Sequence, residues 1–81
     1  MQMNNMIYVK IKSLKTNETF ETYLSIHFSL SENLNALNTL LEREIFSSNN
    51  IYVDASSGGI LNPYSSLKKQ NLYQGMMIHV Y

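Results

Sequence analysis

The sequence predicts a two-layer α+β domain in which one amphipathic helix lies across one face of a small sheet. Three observations predict it. Stretches near the start and at the end alternate apolar and polar residues with the period of a strand. One central stretch carries apolar residues at helical spacing. The five apolar positions of that stretch match a single sheet face, so one helix layer suffices. A chain of 81 residues makes one domain. A domain this small buries only about 60–65% of the surface its unfolded chain exposes, so its core must be well packed.

The elements are taken in chain order. Residues 1–6, MQMNNM, are expected to form a flexible lead, and residues 7–81 the domain. Ile7, Val9 and Ile11 alternate with Tyr8, Lys10 and Lys12, which predicts a half-buried first strand. Lys15 to Glu18 reads as a turn, with Asn17 tolerant of the left-handed region. Alternation then resumes, with Phe20, Thr22, Leu24, Ile26, Phe28 and Leu30 on one face and Thr19, Glu21, Tyr23, Ser25, His27 and Ser29 on the other. A typical strand has about 5–6 residues, so this one is expected to end near Ile26, with Phe28 or Leu30 plugging the core edge.

Ser31 is a suitable helix N-cap, and Glu32 suits the positive end of the helix dipole. Leu34, Leu37, Leu40, Leu41 and Ile45 form the apolar stripe. Asn33, Asn35 and Asn38 are weak helix formers, so packing must hold the helix, which Ser47 to Asn50 ends. Ile51, Val53 and Ala55 against Tyr52 and Asp54 predict a third strand, and Ser56 to Gly59 a hairpin turn. Ile60 and Leu61 begin a short fourth strand stopped by Asn62 and Pro63. Leu67 and Leu72 anchor a connection too short for a helix. Gly75 offers a positive-φ turn position, and Ile78 and Val80 alternate with Met77, His79 and Tyr81 in a last strand.

Composition excludes several functions. Six basic and six acidic residues give zero formal charge, which argues against bulk electrostatic binding to nucleic acid or to an anionic membrane surface. No apolar run is long enough to span a bilayer, and no basic n-region or apolar h-region opens the chain. With no cysteine there is no disulfide, thiolate metal site or cysteine nucleophile, as fits a reducing compartment. The skew toward Asn, Ile, Lys and Tyr, with two Ala and one Arg, follows AT-rich codons and points to a low-GC bacterial source.

The order ββαββ–anchor–β resembles ubiquitin-like β-grasp domains from Met6 to Tyr81. Within that group the chain is most similar to the small YukD/EsaB-type proteins of type VII (Esx) secretion loci in Gram-positive bacteria. The stretches YLSIHFSLSENLNALNTLL and SSLKKQNLYQGMMIHVY carry the resemblance. It implies a mixed sheet of four or five strands packed on one helix, with the last strand inserted centrally and parallel to the first. It also implies a cytoplasmic, non-enzymatic protein–protein interaction module, accessory or regulatory to a type VII secretion system. Its partners would be protein components of the secretion machinery. The alternatives are a ubiquitin-like carrier, for conjugation or sulfur transfer, and an interaction module unrelated to secretion. A carrier needs a thin terminal Gly-Gly, whereas this sequence ends in its last strand, so conjugation is not expected. The Gly58-Gly59 pair lies between two strands and reads as a turn.

Catalytic and cofactor chemistry find little support. His27 and His79 are the two histidines, Asp54 is the one aspartate, and no metal-ligand spacing joins them. No GxSxG elbow accompanies the ten serines, and the glycine-rich turn lacks the lysine and following helix of a phosphate loop. No catalytic residue, metal or cofactor is therefore expected. The outer sheet face is the candidate site. If Ile7, Val9, Ile11, Val53, Ile78 and Val80 face the helix, parity turns Tyr8, Lys10, Lys12, Tyr52, Met77, His79 and Tyr81 outward. Tyr and Met are enriched in interface cores, so these seven are the expected partner-binding residues. Tyr and Lys are also ordinary cross-strand partners on a solvated sheet.

Overall fold

The computed structural model describes residues 5–81, so residues 1–4 of the expected flexible lead lie outside the described residues. Met6 opens β1 (Met6–Ser13), which pairs antiparallel with β2 (Thr19–Ser25) in the register Met6↔Ser25 to Lys12↔Thr19. Asn17 holds φ 62° in the turn between them, the left-handed conformation that asparagine tolerates. β2 ends at Ser25, and Leu30 rather than Phe28 plugs the core; Leu30 is fully buried and Phe28 exposed.

Helix α1 (Leu30–Leu41) begins two residues earlier than Ser31 predicts. Ser29 is the N-cap, because Ser29 and Glu32 have the spacing of a capping box. Glu32 N–H donates to Ser29 Oγ, and Ser29 N–H donates to Glu32 Oε1, both at 3.0 Å. These bonds hold the Glu32 carboxyl below its ordinary value. The helix also ends earlier than the stripe to Ile45 implies. Glu42 turns left-handed at φ 55°, and Arg43 N–H returns to the Asn38 carbonyl. The Asn38 side chain fixes the path of the chain beyond the helix. Its Oδ1 accepts from Ile45 and Phe46 N–H at 2.9 and 3.1 Å, and its amide donates to the Phe46 carbonyl at 2.8 Å. Phe46 is thereby driven into the core, edge-on to Phe20 with ring centroids 5.8 Å apart. Leu40, expected in the stripe, is 78% exposed.

β3 (Tyr52–Asp54) and β4 (Ile60–Leu61) form a hairpin whose turn holds Gly58 at φ 77°. Leu67 is fully buried and Leu72 packs against the core, as the anchor reading requires. Gly75 at φ 83° then admits β5 (Met76–Val80). The sheet order is β2-β1-β5-β3-β4, with β5 parallel to β1 and antiparallel to β3. The expected mixed sheet with a central last strand is therefore present. Val9, Ile11, Leu24, Met76, Ile78 and Val80 make the buried face under Leu30, Leu34 and Leu37.

The parity of β3 corrects the sequence reading. Tyr52 pairs with Val80, and paired residues share a face, so Tyr52 is buried and Val53 faces outward with His79. The run Ile51 to Ala55 is apolar in both parities, and the ladder decides between them. Tyr52 can be the inward residue because its hydroxyl donates to the Ser47 carbonyl at 3.0 Å. Asp54 shares its parity only at the rim, where its carboxylate accepts from Ser56 N–H at 2.9 Å and from the Tyr73 hydroxyl at 3.2 Å.

This packing sets two expectations. Phe46→Ala should cost about 3–5 kcal/mol, and Leu40→Ala about 0.5 kcal/mol or less. Denaturant melts of both variants check the pair, and equal losses would place Leu40 in the core. The second expectation concerns pH. Burial, with a smaller contribution from Tyr64, pushes the Tyr52 phenol up from 10.0 to about 12. The folded state thus favours the neutral phenol, so this stabilisation is full below pH 10 and lost as pH rises toward about 12. Tm should fall across that window, and less steeply in Tyr52→Phe, which cannot ionise; parallel declines would refute the assignment.

Candidate functional site

The outer face of the sheet brings six of the seven expected residues together. In register, Thr19, Lys12, His79, Val53 and Ile60 form one row across all five strands. Glu21, Lys10 and Met77 form the next row. Tyr23 and Tyr8 form a third, with ring centroids 5.7 Å apart and planes tilted by 59°. Tyr81 follows β5 and is exposed; its N–H donates to the Ile51 carbonyl at 2.9 Å, and its carbonyl accepts from Ile51 N–H and the Asn50 amide. Tyr52 does not belong to this face, since it lies in the core.

Local chemistry fixes the centre of the face. The Tyr8 hydroxyl donates to the Glu21 carboxylate, and this bond holds the phenol above its ordinary value. Tyr8 N–H donates to Gln74 Oε1 at 2.8 Å, and its carbonyl accepts from Gly75 N–H at 2.7 Å. The ring of Tyr8 is therefore set by neighbours on both sides. Lys10 is exposed, and Lys12, Met77 and His79 are half-buried. Such a surface combines aromatic and thioether area with two cations and suits a protein partner better than a small molecule.

Sequence reasoning missed some of its apolar content. Ile60 is 77% exposed, and Leu14, Ile51 and Tyr81 meet at one end, where Leu14 N–H donates to the Val80 carbonyl. The β2 parity already placed Tyr23 outward and could have added it to the list. The exposure of Ile51 and Val53 depends on the β3 register, which no local pattern carries.

His27 is exposed, with Nε2 3.0 Å from Asn5 Oδ1, whereas His79 sits on the sheet face between Lys12 and Val53. Among the described residues no group of three or more His, Cys, Asp or Glu is placed to hold a metal ion. No helix of the described residues is long and apolar enough to cross a membrane.

No protein-family model matches the sequence, and no curated protein matches it either. Solved structures do match in fold. A protein solved in work on molecular mimicry of SUMO in DNA repair aligns with TM-score 0.79 and 15% identity, covering 99% of this chain and 95% of that one. A designed protein based on ubiquitin aligns with TM-score 0.74 and 14% identity over 96% of this chain and 89% of its own. The ubiquitin-like domain of an Arabidopsis thaliana protein aligns with TM-score 0.74 and 15% identity over 100% of this chain and 81% of its own. One helix on a mixed five-stranded sheet, with parallel first and last strands at its centre, is the ubiquitin-like β-grasp fold, and this chain adopts it.

Proposed function

We propose that this chain is a non-enzymatic protein–protein interaction module, an accessory or regulatory cytosolic component of a type VII secretion system. Its partner is a protein of the secretion machinery. The observation that carries the interaction reading is the outer sheet face, where Tyr8, Lys10, Lys12, Met77, His79 and Tyr81 share a surface fringed by exposed Ile51 and Ile60. The secretion reading rests on the resemblance carried by the β2–α1 stretch and the final anchor and strand. A conjugating or sulfur-carrying role is disfavoured by where the glycine pair sits. Gly58 N–H donates to the Asp54 carbonyl and the Gly59 carbonyl accepts from Asp54 N–H, so cleavage there would remove β5 from the core.

The test uses one set of variants and two readouts, melting and secretion of the system's substrates from the native host. Tyr8→Ala with Tyr81→Ala should lower secretion while shifting stability by only about 0.5 kcal/mol per site. Each residue that anchors the partner should weaken its pull-down by about 2 kcal/mol or more. Tyr52→Ala should instead lose stability by about 3–5 kcal/mol, as for an aromatic core residue. Full secretion by a folded Tyr8/Tyr81 double variant would remove the outer face as the site. Unchanged secretion after deletion of the whole chain would remove the secretion role itself.

A further inference from the structure

A second surface lies away from the outer face. The edge of β2 and the flank of α1 bound a groove of about 270 Å³. Backbone and side chains of Thr22 to Ser25 form one wall, and Asn33, Ala36 and Leu40 form the other. The volume falls below the roughly 300–1,000 Å³ of small-molecule sites, so it fits a few side chains rather than a whole ligand.

The backbone in that wall has unfilled hydrogen-bonding capacity. β2 is the outermost strand, so one side of it has no neighbouring strand. Tyr8 spends its N–H and carbonyl on Gln74 and Gly75, toward β5, so it makes no ladder bond to its partner Tyr23. Alternation in an antiparallel ladder then turns the N–H and C=O groups of Ser25, Tyr23 and Glu21 off the free edge. At Ser25 both are already taken. Its N–H donates to Asn33 Oδ1 at 2.8 Å, and its carbonyl accepts from the Asn33 amide at 3.0 Å. Asn33 thus stands where the peptide group of a further strand would stand. Beyond it, among the described residues, the Tyr23 carbonyl has only a long 3.4 Å contact from the Thr22 hydroxyl, and the edge stays open to Glu21.

Charge narrows the occupant. Two copies paired antiparallel about Glu21 would set like carboxylates opposite each other, which is destabilising. The groove's one charged lining residue is Glu32, and the adjoining edge adds Glu21. We infer that this groove docks an extended segment of a partner protein as an added strand on β2. Aliphatic side chains at alternate positions enter between Leu24 and Ala36, and Lys or Arg occupies the intervening positions. Ala36 is the small residue that lets the strand approach the helix.

The probe is a synthetic peptide, acetyl-Lys-Val-Lys-Ile-Lys-Val-Lys-amide, with a Glu-for-Lys version and a version N-methylated on alternate amides. Backbone NMR of the whole chain should show shifts at Glu21, Tyr23, Ala36 and Leu40. At low salt the Lys peptide should bind about tenfold more tightly than the Glu peptide, since like charges are rejected at such a rim. N-methylation of the amides facing β2 should remove binding. Glu21→Pro, which deletes an edge N–H and is tolerated on edge strands, and Ala36→Arg, which fills the groove, should each weaken binding about tenfold with melting unchanged. Undiminished binding of the N-methylated peptide or by Ala36→Arg overturns the proposal. So do shifts centred on Met77 and His79, or a tighter Glu peptide. Concentration-dependent dimers that perturb the groove without peptide would assign it to a second copy. Binding that appears only after removal of residues 1–4 would assign it to the chain's own start.

Discussion

The parallel pairing of β1 with β5 is the constraint on which the rest of the molecule depends. It joins Val9 to Met76, Ile11 to Ile78 and Ser13 to Val80 along the middle of the sheet. Ile11 and Ile78 are both fully buried, so the helix sits on this line. Inwardness then spreads sideways through the ladders. Val80 passes it to Tyr52, and Ile7 shares it with Leu24. A one-residue slip would turn every side chain over. The outer face is therefore the complement of the core, set by the same register.

Polar side chains complete what that register leaves undone. A domain this small has long stretches of backbone outside its ladders, and each buried N–H or C=O needs a partner. Two helix asparagines supply several. Asn33 holds Ser25 and the Ser29 carbonyl, and Asn38 holds Ile45 and Phe46. Both amides reach backward or forward from the helix to extended chain that the helix itself cannot bond. Among the described residues no buried side-chain nitrogen or oxygen lacks a partner. These asparagines lower helix propensity and raise tertiary specificity in the same positions. Arg43 adds a bidentate contact to Glu18, both bonds 3.0 Å, which ties the end of α1 to the β1–β2 turn and holds the Glu18 carboxyl below its ordinary value.

How much of this was legible depends on how far each signal reaches along the chain. β1, β2 and β5 have one apolar parity each, and both their existence and their inward faces follow from alternation. The left-handed turn at Asn17 and the positive φ at Gly75 follow from residue type. The capping box at Ser29 and Glu32 was readable as well, but Ser31 offered a competing cap nearer the stripe. The helix end was not readable. Leu41 and Ile45 continue the spacing of Leu34 and Leu37, and only the capture of Ile45 and Phe46 by Asn38 breaks it. Tyr52 was misplaced for a related reason: Ile51, Val53 and Ala55 make the more apolar parity, and the deciding partner is Val80, 28 residues on. Of the candidate site, the residues contributed by β1 and β5 were therefore legible and those of β3 were not.

The sequence separation of the central pair has a consequence for synthesis. Tyr8 reaches Gln74 across 66 residues and Gly75 just beyond it, so β1 has its second neighbour only when nearly the whole chain exists. At ribosomal rates of about 5–20 residues per second, several seconds pass between the emergence of the two strands. Until then the β1–β2 hairpin can form, but the inner flank of β1 is an unpaired edge carrying Val9 and Ile11. Isolated two-stranded hairpins are marginal in water. The domain is thus committed to fold late and all at once, and a nascent chain stalled before Met76 would present to chaperones and proteases the same aliphatic strand that the finished molecule hides most completely.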